Sequence, residues 1–259
     1  MTKLVDSGND ASQDREGSAA VTESSRDSLR VMYVAGLARS GSTVLGYVLG
    51  RLPGTIFVGE LAFFWRRFAN SELCSCGKPL PDCHFWSAVV RKAFGQLTRE
   101  QVTNMNKLEQ RVLRWQRVLA LAPVRWSTHR AKRIHIMLEK RGRLYQSICE
   151  VANVECIVDS GKEVTFGSLM ARLNNTSFST IYLVRDPRGV AFSWQKKVRS
   201  DSETRNMPRS PAIKTAARWL SGNLFVQISL KRLSNAYSRV RYDDLVTGTT
   251  VRVCDLAPG

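Results

Sequence analysis

Apolar runs recur along the chain, and each ends at a turn rich in Gly, Ser, Asp or Arg. Val31 to Val34 is a continuous apolar stretch, the pattern of a strand buried on both faces. A glycine-bearing loop, Gly36 to Gly41, follows it, and Ser42 and Thr43 open an amphipathic helix through Leu49. Thr55 to Val58 reads as a short strand, and Gly59-Glu60 turns the chain into a helix from Leu61 to Ala69. From about Phe85 to Glu150 there is no strand signal. Leu108, Val112, Trp115, Leu119 and Ala122 recur there at helical spacing, a stripe expected in the core. Pro123 interrupts, and a basic helix is predicted from Thr128 to Val151. Glu155 to Val158, Thr180 to Val184 and Tyr237 to Tyr242 read as further strands. Thr165 to Leu173 and Ala212 to Leu233 read as helices, and the polar loop from Ser200 to Pro211 suits a mobile lid. Strands alternating with helices predict an α/β fold, a central parallel sheet with helices on both faces.

Composition narrows the class. The chain has 259 residues, 43 % hydrophobic and 24 % charged, ordinary for one globular α/β domain. No apolar run approaches the ~20 residues that span a bilayer. Met1 to Ser28 is polar and lacks the basic start and apolar stretch of a signal peptide, so residues 1–29 are expected to form a disordered polar tail. A cytoplasmic protein with no membrane anchor is the expectation. The net charge of +17 is unusual. Most of it suits a solvated basic surface, and part suits an electrostatic funnel for a polyanion. Zinc-finger spacing, an RNP-like run and a basic zipper are all missing, which argues against specific nucleic-acid recognition.

Two segments carry candidate chemistry. In the first, strand, glycine loop and helix N-terminus aim backbone N–H groups at one point, a site for a phosphate. Gly36, Gly41 and Thr43 fit the spacing G-x-x-x-x-G-K-[ST], but position 42 is Ser where a nucleotide hydrolase has Lys. The nearby basic residue is Arg39. The loop therefore suits an anionic donor other than a hydrolysed ATP or GTP. In the second, the strand ending at Val184 runs into Arg185, with Asp186 as N-cap and Pro187 at the first helical position. Arg185 and Ser193 are placed to reach a second phosphate, while Arg188 suits either that phosphate or a solvated helix face. Two anion sites at the carboxyl ends of parallel strands imply a ligand with two separated phosphates.

These segments resemble the PAPS-dependent sulfotransferases, which use 3′-phosphoadenosine 5′-phosphosulfate as donor. Ala38-Arg39-Ser40-Gly41-Ser42-Thr43 is similar to their 5′-phosphosulfate loop, and Leu183-Val184-Arg185-Asp186-Pro187-Arg188 with Ser193 to their 3′-phosphate site. Val158-Asp159-Ser160-Gly161-Lys162 and Val240-Arg241-Tyr242-Asp243-Asp244-Leu245 match in order. The resemblance covers roughly Arg30 to Val246. It implies a P-loop-like three-layer domain over 30–246, with a helical insertion at 85–150 shaping the acceptor pocket. It also implies Thr43 as a phosphate ligand and a small-molecule, carbohydrate or peptide acceptor. Family members usually continue past the Arg-Tyr-Asp-Asp-Leu segment with a helix and a basic loop, whereas 247–259 is short and polar. No metal is required, because arginine, lysine and backbone amides supply the positive charge.

In tyrosine and some carbohydrate sulfotransferases, which this segment resembles, a glutamate in the place of Glu60 is the catalytic base. Glu60 equally suits a charge at a helix N-terminus. Lys162 closes the turn after a buried strand, where an ammonium can neutralise the leaving oxygen; the alternative is a surface lysine. Tyr242 suits either a place near the adenine or the core, Asp159 suits a turn cap, and Trp194 and Trp219 are expected in the core. His84, His129 and His135 follow no motif strand, and the last two are expected on a surface helix. Of six cysteines, three cluster as Cys74, Cys76 and Cys83 beside His84. Reduced thiols, a disulfide, or a zinc site using these four residues are open readings. Two other functions compete with sulfuryl transfer: a non-catalytic nucleotide-binding relic of the fold, and a P-loop nucleotide kinase.

Overall fold

A computed structural model describes residues 29–119, 128–195 and 211–247. The polar tail up to Ser28, all but Pro211 of the proposed lid and residues 248–259 lie outside them. So do Ala122 and Pro123, and of the expected core stripe only Leu108 and Val112 have described side chains; both pack into the core.

Five parallel strands form the sheet: β1 (Leu29–Ala35), β2 (Thr55–Phe57), β3 (Cys156–Asp159), β4 (Thr176–Val184) and β5 (Ala236–Arg241). Their spatial order is β2-β3-β1-β4-β5. Strand alternation divides the core in two. Val31, Tyr33 and Ala35 of β1 face one hydrophobic cluster with Ile157, Phe178 and Tyr182, while Met32 and Val34 face another with Val158, Ile181 and Leu183. The first cluster is covered by α2 (Phe64–Ala69), α3 (His84–Phe94), α4 (Arg99–Leu119), α5 (Thr128–Ala152) and α6 (Val164–Met170). The second is covered by α1 (Ser42–Leu49) through Leu45 and Leu49, with Leu245 of α10 (Tyr242–Thr247) packed against it. The architecture is therefore an α/β fold with a five-stranded parallel sheet flanked by helices.

Between β4 and β5 lie α7 (Pro187–Gln195) and α8 (Ala212–Phe225). The latter continues through a π-helical turn, Val226–Leu230, into α9 (Lys231–Leu233). The single helix expected from Ala212 to Leu233 is thus one helical run with a widened turn. Several boundaries shift from the sequence expectation, three of them with a physical consequence. Leu61–Phe63 is a 3₁₀ turn ahead of α2. Strand β5 stops at Arg241, and Tyr242 begins α10, whose first turn carries Asp243 and Asp244, a favourable place for negative charge. Strand β4 starts at Thr176, four residues early. Residues just ahead of β5 tie part of this stretch down: Asn235 Oδ1 accepts from the Phe178 amide at 2.8 Å, and the Thr180 and Ser234 hydroxyls lie 2.6 Å apart.

Helix α1 sits close on β2. A methyl group on Gly46 would stand 2.3 Å from the Phe57 ring, so only glycine allows this approach. In the helical insertion, the helix read as basic buries one of its arginines. Arg141 Nε donates to Glu109 Oε1 at 2.8 Å, both residues are buried, and the guanidinium lies 5.0 Å from the Phe166 ring centre. Burial pushes the Glu109 carboxyl up, and Arg141 opposes that shift. His129 and His135 are exposed on α5, as expected.

Candidate functional site

All five strands end at the same edge of the sheet, because all five are parallel. That edge gathers the loop after β1, the turn after β2, the turn after β3, the Arg185 loop after β4 and Tyr242 after β5. The chain runs from β1 out to β2, back through β3, and then across to β4 on the far side of β1. The crevice where strand order reverses lies at the carboxyl end of β1, where doubly wound sheets bind ligands.

The loop after β1 is shaped by two left-handed residues, Arg39 (φ 75°) and Gly41 (φ 90°). Ser40 N–H donates to the Leu37 carbonyl at 3.1 Å, and the Leu45 amide bonds Gly41 O at 3.1 Å to start α1. Ser40 and Ser42 are buried, and neither hydroxyl has a hydrogen-bond partner among the described residues. Thr43 is exposed in the first turn. A Cβ on Gly41 would fall 2.5 Å from the Tyr242 ring, so the ring closes directly on the loop.

Tyr242 also joins the loop after β1 to the loop after β4. The Arg185 guanidinium lies 4.3 Å from the centre of its ring, and Arg185 Nη1 donates to the Arg39 carbonyl at 2.9 Å. Asp186 takes its expected place, its Oδ1 accepting from the Arg188 amide at 2.8 Å ahead of Pro187. The exposed Arg188 side chain folds back on the same carboxylate, which lies well below its ordinary pKa, at about 2, through those bonds. Ser193 is half-buried on α7, and among the described residues no hydrogen bond ties it to Arg39 or Arg185.

Both tryptophans expected in the core are half-buried at this edge instead. The Trp194 ring lies 5.4 Å below the Arg39 guanidinium, and Trp219 Nε1 donates to the Arg185 carbonyl at 2.9 Å. An indole offers both an apolar face and one donor, and here the two features hold the site arginines. Their apolar character made them look like core in the sequence; Trp194 at least lies on the helix that follows the Arg185 loop, whereas nothing local marks Trp219, 34 residues from Arg185.

Glu60 and Lys162, 102 residues apart, form a direct ion pair between Glu60 Oε1 and Lys162 Nζ. Two bonds from the end of β3 staple their turns together. The Ser160 amide bonds the Gly59 carbonyl at 2.8 Å, and Asp159 Oδ1 accepts from the Leu61 amide at 3.3 Å. Glu60 stands at the N-cap position of the 3₁₀ turn but makes no side-chain bond to the amides that follow it; its carboxylate turns to Lys162 instead. Lys162 is held in the left-handed region at φ 55°, and its side chain is only 19 % exposed, so it is not a free surface lysine.

Asp159 does more than cap a turn. It is fully buried, and Tyr145 of α5 donates to its Oδ2 at 2.6 Å. Burial pushes its carboxyl up to about 7, against the opposing bonds from Tyr145 and Leu61. From its ordinary value of 3.8 up to about 7, the folded chain keeps a proton that the unfolded chain has released. Stability therefore falls as pH rises through that window, by up to ~1.4 kcal/mol per pH unit, and the loss is complete above it. Urea midpoints measured at about pH 5 and about pH 8 will differ less in Asp159→Asn than in the parent chain. An identical pH dependence in the two proteins would show that the Asp159 carboxyl is ionised in the fold.

Elsewhere, a cavity of about 400 Å³ lies among α3, α4 and α5, lined by residues including Phe94, Met105, Leu108 and Arg143. None of the phosphate-loop residues lines it. Among the described cysteines all are free thiols. Comparison with protein-family models gives no match, and comparison with curated proteins gives none. Among the described residues no helix is long and apolar enough to cross a membrane.

Proposed function

We propose that the chain is a sulfotransferase that moves a sulfuryl group from 3′-phosphoadenosine 5′-phosphosulfate to a hydroxyl or amine acceptor. The observation that carries this reading is the joining of two anion loops at one sheet edge, through Arg185, the Arg39 carbonyl and Tyr242. The Glu60–Lys162 pair stands on the turns of the same edge. A nucleotide with phosphates at both its 3′ and 5′ ends matches two such loops; AMP and ATP each carry phosphate at one end only.

The residues present fit the donor. Ser40 and Ser42 have buried hydroxyls that await an acceptor, and the loop leaves no room for a side chain at Gly41. The amides of Ser40 to Thr43, with Arg39, hold the 5′ group at the positive end of α1. Arg185 and Ser193 hold the 3′ phosphate, and Tyr242 packs beside the nucleotide. When bound, the donor supplies an activated sulfuryl group on a phosphate leaving group. Glu60 takes the proton of the acceptor as the new bond to sulfur forms, and Lys162 neutralises the charge left on the departing phosphate oxygen. The stapled turns keep Glu60 and Lys162 side by side, and their ion pair opens as each takes up its substrate partner. The position of Ser42, where a kinase would carry lysine, weighs against the kinase alternative.

The protein will bind 3′,5′-diphosphoadenosine much better than AMP or ATP, measured by the shift each nucleotide gives in the unfolding temperature. Equal shifts for all three would remove the two-site reading. Tight binding without turnover, across a broad acceptor screen with labelled donor, would leave a nucleotide-binding protein that does not catalyse.

A further inference from the structure

The loop between α2 and α3 lies outside the site just described and brings three thiols together. The Sγ atoms of Cys74, Cys76 and Cys83 all lie within 4.8 Å of one another. Cys76 Sγ is 3.5 Å from Cys83 Sγ, and Cys83 Sγ is 3.6 Å from Cys74 Sγ. Sulfurs in a disulfide would be about 2.05 Å apart. Thiolates bound at about 2.3 Å to one tetrahedral ion are separated by roughly 3.8 Å, close to the spacings here.

The backbone builds this convergence. Cys74 N–H donates to the Lys78 carbonyl at 2.8 Å, and the Gly77 amide bonds Cys74 O at 2.9 Å. Gly77 takes φ 81°, a left-handed turn that carries Cys76 back over Cys74. The Leu80 amide bonds the Glu72 carbonyl at 2.9 Å and closes the loop's base. Cys83 is buried at the N-cap position of α3, which fixes its Sγ beneath the loop. The loop has little apolar material of its own: Leu80 is buried, while Leu73 is 47 % exposed. A surface excursion of this length therefore needs another source of order.

We propose that Cys74, Cys76 and Cys83 form a three-thiolate site for a thiophilic divalent cation, zinc above all, with solvent in the fourth position. Cys76 is exposed, which leaves the ion a path in and an open coordination position. His84 is exposed and outside the cluster, so the four-ligand set that includes it does not apply. Binding releases the protons of whichever thiols were protonated and forms three metal–sulfur bonds, with no change of oxidation state. The site lies on a different loop from Glu60 and Lys162, and its role is to order the segment entering α3.

The test uses the full chain, reduced and stripped of metal, titrated with cobalt(II). One equivalent will produce sulfur-to-cobalt charge-transfer absorption and the visible bands of a tetrahedral site, and zinc will bleach both. Cys76→Ser, at an exposed position, will weaken zinc binding by more than about a hundredfold, since even outer-shell losses cost about 10–100-fold. Cys149→Ser, away from the cluster, will leave it unchanged. Absence of the charge-transfer band in the folded parent chain, or an equal band in Cys76→Ser, would overturn the proposal. A mapped disulfide between two of the three cysteines in the protein as purified would overturn it as well.

Discussion

Replacing Glu60 by glutamine will lower the turnover number by ~10²–10⁴-fold while leaving the affinity for 3′,5′-diphosphoadenosine close to that of the parent, the size expected when one positioned proton acceptor is lost. Glutamine keeps the shape of the side chain and can still accept from Lys162, so the stapled turns at Gly59 and Ser160 need not move. What it loses is a basic oxygen. Steady-state kinetics with the acceptor found by screening, beside a nucleotide titration, separates the two quantities. A variant with normal kcat would make Glu60 a purely structural partner of Lys162, and the base would have to be sought elsewhere.

Lys162→Ala and Arg185→Ala will fail in different ways. Removing the ammonium takes away charge needed mainly in the transition state, so kcat should fall by roughly 10²–10³-fold with a smaller change in donor affinity. Alanine and lysine share the same cost at the left-handed backbone of position 162, so this comparison is not dominated by misfolding. Removing the guanidinium of Arg185 takes away a charge-assisted phosphate contact, and donor binding should weaken by roughly 1.5–3 kcal/mol. Arg185 also carries the Arg39 carbonyl and the Tyr242 ring, so Arg185→Lys should rescue little of the loss. Because Glu60 and Lys162 touch, the double variant should be far from additive. Strict magnesium dependence, or a Lys162→Ala enzyme with the parent's kcat, would overturn this division of roles and favour the nucleotide kinase.

The sheet was readable because buried parallel strands leave continuous apolar runs, such as Val31 to Val34, and end in residues that turn. The same reasoning placed Asp186 and Pro187 correctly at the start of α7. It stopped short where partners are distant in sequence. Thr176 to Ser179 looks too polar for an interior strand until Asn235 arrives beside it and accepts from the Phe178 amide. Asp159 looked like a turn cap because its two partners, Tyr145 and Leu61, are 14 and 98 residues away. Tyr242 admitted two readings, and only the assembled edge places its ring between Gly41 and Arg185. For the pair proposed to be catalytic, the sequence supplied Glu60 and Lys162 separately; nothing local said that they meet.

The position of β1 at the centre of the sheet bears on how the chain is made. Its register partners are Cys156 to Asp159 on one side and Thr176 to Tyr182 on the other. Arg30 therefore leaves the ribosome 126 residues ahead of Cys156, its first partner. At ~5–20 residues per second, that interval is about 6–25 s. Throughout it, an apolar strand with two open edges has no mate, while α2 to α5 emerge and can form from local contacts. Nascent-chain ageing at Leu29–Ala35, rather than the stability of the finished domain, should limit the yield of soluble protein, and slower translation ahead of β3 should lower that yield.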